Sequence, residues 1–190
     1  MVQIEYNIFT NEYRKEIIQG ITSCQYLAAT DPGTKNIKEA FCTTFTINQK
    51  VQVENYLPFI DIILDDILDP DCNLFHMVAM VLYASSEITE HIDDNLIHTY
   101  GDDIIKHPKC TTVYYANVPD SMIGGELISE NLTITPVTNS LITIPGNVPH
   151  RVTEITQATE PRITLIIEQY KVIKYNLQKY DTSNVTIIEG

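Results

Sequence analysis

His91-Ile92-Asp93 sets an imidazole and a carboxylate two residues apart. In an extended strand, alternate residues project from one face about 7 Å apart along the chain, so both side chains can reach one metal ion. Alone the pattern is weak, because a short His-x-Asp motif arises often by chance. His150 strengthens it. This residue opens the segment HRVTEI after the turn PGNVP. Two imidazoles and one carboxylate gathered on one side of a divalent iron leave the other side open to a bidentate cosubstrate and dioxygen. The plain alternative is that His91 and His150 are ordinary surface or core histidines.

Arg162 bears on that choice. It stands on the otherwise apolar segment RITLII. The residues TQATEP before it read as a hairpin connection, so RITLII is expected to return beside HRVTEI and carry Arg162 toward the same cavity. A buried guanidinium without a partner is costly, so Arg162 needs a carboxylate. A neighbouring Glu would serve, and so would a bound dicarboxylate, to which Thr164, facing the same way, would add a hydroxyl. Arg151 is adjacent to His150 and should point to the opposite face. Charge supports the set. Iron(II) with Asp93 leaves one positive charge, Arg162 adds another, and a 2-oxoglutarate dianion neutralises both.

The elements that must position these residues change character along the chain. Thr10 or Asn11 can cap a helix in which Tyr13, Ile17, Ile18 and Ile21 recur at helical spacing, with Gly20 at its fraying end. A second helix is expected from Pro58 through Leu68, where Phe59, Ile60, Ile63, Leu64 and Ile67 share a face opposite Asp61 and Asp65. From Leu74 onward the pattern becomes short apolar or alternating runs separated by turns, among them CTTVYYANV, LTITPV, SLITIP and RITLIIEQYKVIKY. So many short strands indicate an antiparallel sandwich or barrel of the jelly-roll, cupin-like kind. The fold class expected is mainly β with N-terminal helices, in one domain: helical support over 1–73, the β core over 74–175 and a tail over 176–190.

The whole-chain figures narrow the function. At 190 residues, 44% of them apolar and 19% charged, the chain suits one globular core rather than a disordered segment. A net charge of −13 with 12 Lys and Arg disfavours nucleic acid and anionic lipid as partners, and points to a neutral or basic substrate. Four scattered cysteines form no CxxC pair, so free thiols are expected rather than a zinc knuckle or disulfide scaffold. The sequence MVQIEYNIFTNEYRKE lacks a signal-peptide pattern, and no run approaches the length of a membrane helix, which gives a cytoplasmic expectation.

Four stretches in order, LYASSEITEHID, TTVYYANV followed by GGEL, TPVTNSLITIPGNVPHRVTEI and PRITLII, lie between Tyr83 and Val172. This region resembles the catalytic core of the 2-oxoglutarate/iron(II) oxygenases, in particular the prolyl 4-hydroxylase-like branch. The resemblance implies a double-stranded β-helix core, with His91, Asp93 and His150 as iron ligands and Arg162 as partner of the distal 2-oxoglutarate carboxylate. Tyr115 matches a position that hydrogen-bonds the same carboxylate, and Tyr83 one that lines the cosubstrate or substrate pocket. Both tyrosines also read as strand aromatics packed in a core. His76, His98 and His107 match nothing in the pattern and read as structural or exposed. The implied activity is hydroxylation of a C–H bond of a small molecule, an amino acid or a peptidyl residue, with dioxygen as second cosubstrate. Asp93 fills the coordination position that a halide would need, which disfavours halogenation. The rival is a non-catalytic cupin-like barrel that binds a metal or small ligand.

Overall fold

The computed structural model describes residues 2–30, 38–96, 107–130, 132–173, 177 and 185–189. In chain order the elements begin with strand Gln3–Tyr6 (β1), helix Asn11–Thr22 (α1), and strands Ala28–Thr30 (β2) and Lys38–Thr46 (β3). Helices Lys50–Tyr56 (α2) and Asp61–Ile67 (α3) follow, each preceded by a single 3-10 turn. The rest is β: Leu74–Leu82 (β4), Ile88–His91 (β5), Cys110–Asn117 (β6), Ile123–Gly124 (β7), Leu127–Ser129 (β8), Leu132–Ile134 (β9), Ser140–Pro145 (β10), His150–Val152 (β11), Ile155–Gln157 (β12), Arg162–Tyr170 (β13) and Ile187–Glu189 (β14).

Pairing is antiparallel throughout the described strands. An eight-stranded sheet runs β1-β10-β6-β13-β4-β3-β14, with β2 on β3. A smaller sheet runs β5-β11-β8-β9, and β12 pairs with β7. Val113, Tyr115, Ile142 and Ile144 of the large sheet form one buried cluster with Leu127, Ile134 and Val152 of the small one. The two sheets therefore pack face to face, the jelly-roll arrangement that the short alternating runs predict.

Strand β13 shows how the sequence builds the layers. Its odd-numbered apolar residues Ile163, Leu165 and Ile167 join the cluster that holds Tyr13, Ile17 and Ile21 of α1 and Ile63, Leu64 and Ile67 of α3. The even-numbered Arg162, Thr164, Ile166, Glu168 and Tyr170 thus face the small sheet, because side chains alternate along a strand. The helices cover one face of the large sheet, and the site residues stand on the other.

Helix α1 begins where expected: the Thr10 hydroxyl accepts a hydrogen bond from the Tyr13 amide at 3.2 Å, and Tyr13, Ile17 and Ile21 are its buried stripe. The expected Pro58–Leu68 helix is a 3-10 turn over Pro58–Ile60 followed by α3. The N-terminal third is less helical than its composition suggests. In β3 the alternating Phe41, Thr43 and Phe45 are buried, and the strand pairs with β4 along its whole length. TQATEP is not the hairpin expected: β12 pairs with β7, while β13 pairs with β4 and β6, so the chain crosses between sheets instead of turning back beside β11.

Gly20 lies inside α1 rather than at a frayed end. A Cβ there would stand 2.1 Å from Cγ of Phe59, so the residue is glycine because a neighbouring ring occupies its side-chain space. Helix propensity alone favours Gly20→Ala by about 1 kcal/mol, whereas overpacking costs about 1–3 kcal/mol. Gly20→Ala is expected to lower the thermal midpoint by a few degrees in a calorimetric scan. A raised midpoint would contradict this packing.

Candidate metal and dicarboxylate site

His91 ends β5 and His150 begins β11, and the two are directly opposite one another in the antiparallel ladder. Their ring centroids are 4.4 Å apart. Asp93 lies just beyond the end of β5, yet keeps the same facing as His91. Nε2 of His91 is 3.4 Å and Nε2 of His150 is 3.7 Å from Oδ1 of Asp93. One donor atom from each residue lies within 4.8 Å of the others, a spacing that one divalent ion would bridge. Asp93 and His150 are buried while His91 is exposed, so the group is open on one side.

The remaining ring nitrogens have partners that suit this use. Nδ1 of His91 lies 2.8 Å from the Thr89 carbonyl and Nδ1 of His150 lies 3.1 Å from the Val148 carbonyl. A carbonyl only accepts, so each Nδ1 carries a proton and each Nε2 faces the shared centre, donating to Asp93 while protonated and offering a lone pair to a cation once that proton is lost. The Thr111 hydroxyl, at the start of β6, donates to Oδ2 of Asp93 and leaves Oδ1 facing the imidazoles. Burial raises the Asp93 carboxyl, but the His91 hydrogen bond and the His150 charge outweigh it and hold the group below the ordinary carboxylate range. The Asp93 hydrogen bond in turn raises His91 against burial. A proton shared by acceptor-rich groups is what a cation displaces.

Arg162 is 2% exposed on the inner face of the large sheet. Its Nη1 donates to the Gly125 carbonyl at 2.9 Å, and Cζ stands 5.5 Å from the centroid of the Tyr115 ring. Among the described residues its buried Nε has no hydrogen-bond partner. The neighbouring Glu that could have paired with it is not there: no carboxylate forms an ion pair with Arg162 among the described residues. Burial pushes its pKa down, opposed by Tyr115. The Gly124-Gly125 turn makes the carbonyl contact possible. Both residues have positive φ, and a Cβ on Gly124 would lie 1.9 Å from the Glu154 carbonyl oxygen.

Thr164 and Tyr115 are cross-strand partners beside Arg162, both buried; the Thr164 hydroxyl lies 3.5 Å from the Met80 carbonyl. Arg151 points the other way, exposed between buried His150 and Val152. Tyr83 is placed apart from this group. Its ring packs against the helix-side cluster and its hydroxyl donates to Glu39 at 2.8 Å. His107 is exposed, and His98 lies outside the described residues.

Four polar residues join the site that motif reading missed. Thr111 shares with Tyr115 the inner alternation of TTVYYAN, and Glu168 continues that of Arg162 and Thr164 along β13, so the period-two pattern carried a signal for both. Asn95 donates to Glu168 and ties the segment after Asp93 to β13. His76, on the inner face of β4, pairs through Nδ1 with the Thr44 hydroxyl at 2.9 Å.

Loss of either imidazole, in His91→Ala or His150→Ala, is expected to remove most of the Fe(II) affinity measured anaerobically against a chromogenic chelator. Thr111→Val is expected to weaken it about 10–100-fold, since it frees the carboxylate rather than deleting a ligand. Unaltered affinity in both histidine variants would exclude this centre.

No family model and no curated protein matches the sequence. Solved structures match the fold. A prolyl-4-hydroxylase from Pseudomonas putida aligns over 90% of this chain and 92% of its own, with TM-score 0.58 and 16% identity. A 2OG-Fe(II) oxygenase family oxidoreductase from Burkholderia pseudomallei covers 90% and 84%, with TM-score 0.56 and 10% identity. A prolyl hydroxylase from Trichoplax adhaerens, in complex with a hypoxia inducible factor oxygen degradation domain peptide fragment, covers 90% and 83%, with TM-score 0.52 and 16% identity. The chain thus has the fold of these oxygenases, a double-stranded β-helix backed by helices on one face.

Proposed function

We propose that this protein is an Fe(II)- and 2-oxoglutarate-dependent oxygenase of the prolyl 4-hydroxylase-like branch, hydroxylating a C–H bond of an amino acid, free or within a peptide. The observation that carries the reading is Arg162. A buried guanidinium with an orphaned Nε and no described carboxylate partner calls for an anion. Arg14 also has an unpartnered buried Nε, but its side chain belongs to α1 outside the barrel and is only half-buried. A bare metal-binding cupin-like barrel accounts for the His91, Asp93 and His150 group and leaves Arg162 without a purpose.

In this reading His91, Asp93 and His150 hold the iron, with Thr111 fixing the Asp93 carboxylate. Arg162, whose guanidinium stands over the Tyr115 ring, would hold the far carboxylate of 2-oxoglutarate, and Thr164 would contribute a hydroxyl. When bound, iron with 2-oxoglutarate and dioxygen supplies the oxidation of an unactivated C–H bond, with succinate and carbon dioxide as coproducts. The chain contributes orientation and a wall of apolar side chains, Val113, Ile142 and Val152, that keeps water away from the reacting groups. The prolyl hydroxylases among the structural neighbours, one of them bound to a peptide, favour an amino-acid residue as the oxidised group.

Arg162→Ala is expected to leave Fe(II) binding intact and weaken 2-oxoglutarate tens- to thousands-fold, the effect of about 2–5 kcal/mol lost with a buried charge-assisted pair. Arg162→Lys should recover part of this, having the charge without the fork. Arg151→Ala, on the exposed face, is the control. The measurement is anaerobic titration of 2-oxoglutarate into the iron-loaded protein, followed by the visible metal-to-ligand charge-transfer band. Absence of the band in wild type, or normal binding by Arg162→Ala, would overturn the assignment.

A further inference from the structure

The inner face of the large sheet is partly exposed along β4 and β3. Along β4 the helix-facing Met77, Ala79 and Val81 are sealed, whereas His76, Val78 and Met80 keep partial exposure. Cys42 and Thr44 of β3 and Ile166 of β13 are likewise partly exposed. One row across this face is polar. In register, Thr44 stands opposite His76, His76 opposite Glu168, and Glu168 opposite Thr111, whose hydroxyl holds Asp93.

Glu168 is 1% exposed and accepts hydrogen bonds from two neutral donors, Asn95 Nδ2 and the Tyr170 hydroxyl. Among the described residues no lysine or arginine pairs with it, and the charges acting on it from Asp93 and Asp94 are negative. Burial accordingly pushes its carboxyl up to about 7. His76 is held neutral, its pKa lowered by burial to about 4. Because Thr44 occupies Nδ1, Nε2 is the ring atom left to meet a ligand.

We infer that the row Thr44, His76 and Glu168 is a substrate subsite that receives a cationic nitrogen, an ammonium or a guanidinium, beside the metal group; this deepens the oxygenase reading and rests on it. Charge decides the class of ligand. Iron(II), Asp93, Arg162 and dianionic 2-oxoglutarate sum to zero, so Glu168, when ionised, has no compensating cation among the described residues, and a cation beside it would favour that ionised form. A substrate cation at His76 Nε2 stands on the strand next to that carboxylate, because His76 and Glu168 are directly opposed in the ladder. An anionic substrate group there would add to the charge of Glu168, with no described cation to offset it.

The test is isothermal titration of zinc-loaded protein, with and without 2-oxoglutarate, using N-acetyl-lysine amide, N-acetyl-arginine amide and the neutral N-acetyl-norleucine amide. At least one cationic probe is expected to bind about tenfold or more tighter than norleucine, the usual size of a close charge-pair effect. Glu168→Gln should bring the probes to equal affinity. His76→Leu leaves the Glu168 hydrogen bonds in place, and should weaken the cationic probes without weakening norleucine. It keeps the test decisive if Glu168→Gln does not fold. Equal affinities in wild type, undetectable binding of both cationic probes, or a preference that survives in either variant overturns the subsite. Zinc titration needs no turnover, so failure of the oxygenase reading shows separately, as a missing 2-oxoglutarate band in the iron protein.

Discussion

Strand β13 is hydrogen-bonded along both edges, to β6 on one side and β4 on the other, and its two-residue period decides which side chains meet the small sheet. A slip of one residue would put Ile163, Leu165 and Ile167 beside the metal group and drive Arg162, Thr164 and Glu168 into the helical core. That alternative buries charge in an apolar layer and exposes the apolar side chains that hold the helices down. Packing of α1 and α3 on the outer face therefore fixes the polar order of the inner one, and stability and site geometry depend on the same register.

The electrostatics of the inner face follow from this. Asp93 meets the His91 and His150 imidazoles and the Thr111 hydroxyl, while Glu168 meets only the neutral donors Asn95 and Tyr170 among the described residues. Arg162 belongs to the same face, six positions before Glu168 on β13, supported by a carbonyl and an aromatic ring rather than a counter-ion. Such an arrangement sets carboxylates toward one end of the inner face and a guanidinium toward the other, a costly state for a protein alone. In the proposed function, bound ions would relieve it: a divalent cation at the Asp93 end and a dianion at the Arg162 end. The buried groups are unusual for a structural core and ordinary for a site that folds around absent charge.

Much of this was readable in the residues. His91 with Asp93, and Arg162 with Thr164, are each two residues apart, and alternation placed each pair on a common face. Arg151 could be set aside on the same ground. The route by which Arg162 arrives was not readable, because TQATEP has the composition of a turn and nothing local shows that β12 pairs with β7 before the chain changes sheets. Strand β3 was hidden for a related reason, since KEAFCTTFT acquires its extended form from pairing with β4, which is distant in sequence. Tyr83 matched a pattern position, yet its placement depends on Glu39 across the sheet. Asn139, held at φ 61° with its amide oxygen accepting from Phe9 and Tyr114, ties the start of α1 to β6 through contacts that no sequence window contains.

The proposed function requires that a metal at the end of β5 and a dicarboxylate at the start of β13 share one site. A crystal structure of the protein soaked anaerobically with Fe(II) and 2-oxoglutarate, with anomalous data at the iron edge, tests it directly. The expected map has one iron peak bounded by His91, Asp93 and His150, with 2-oxoglutarate reaching from that metal to the Arg162 guanidinium. An iron peak on other residues, or 2-oxoglutarate bound away from Arg162, would contradict it.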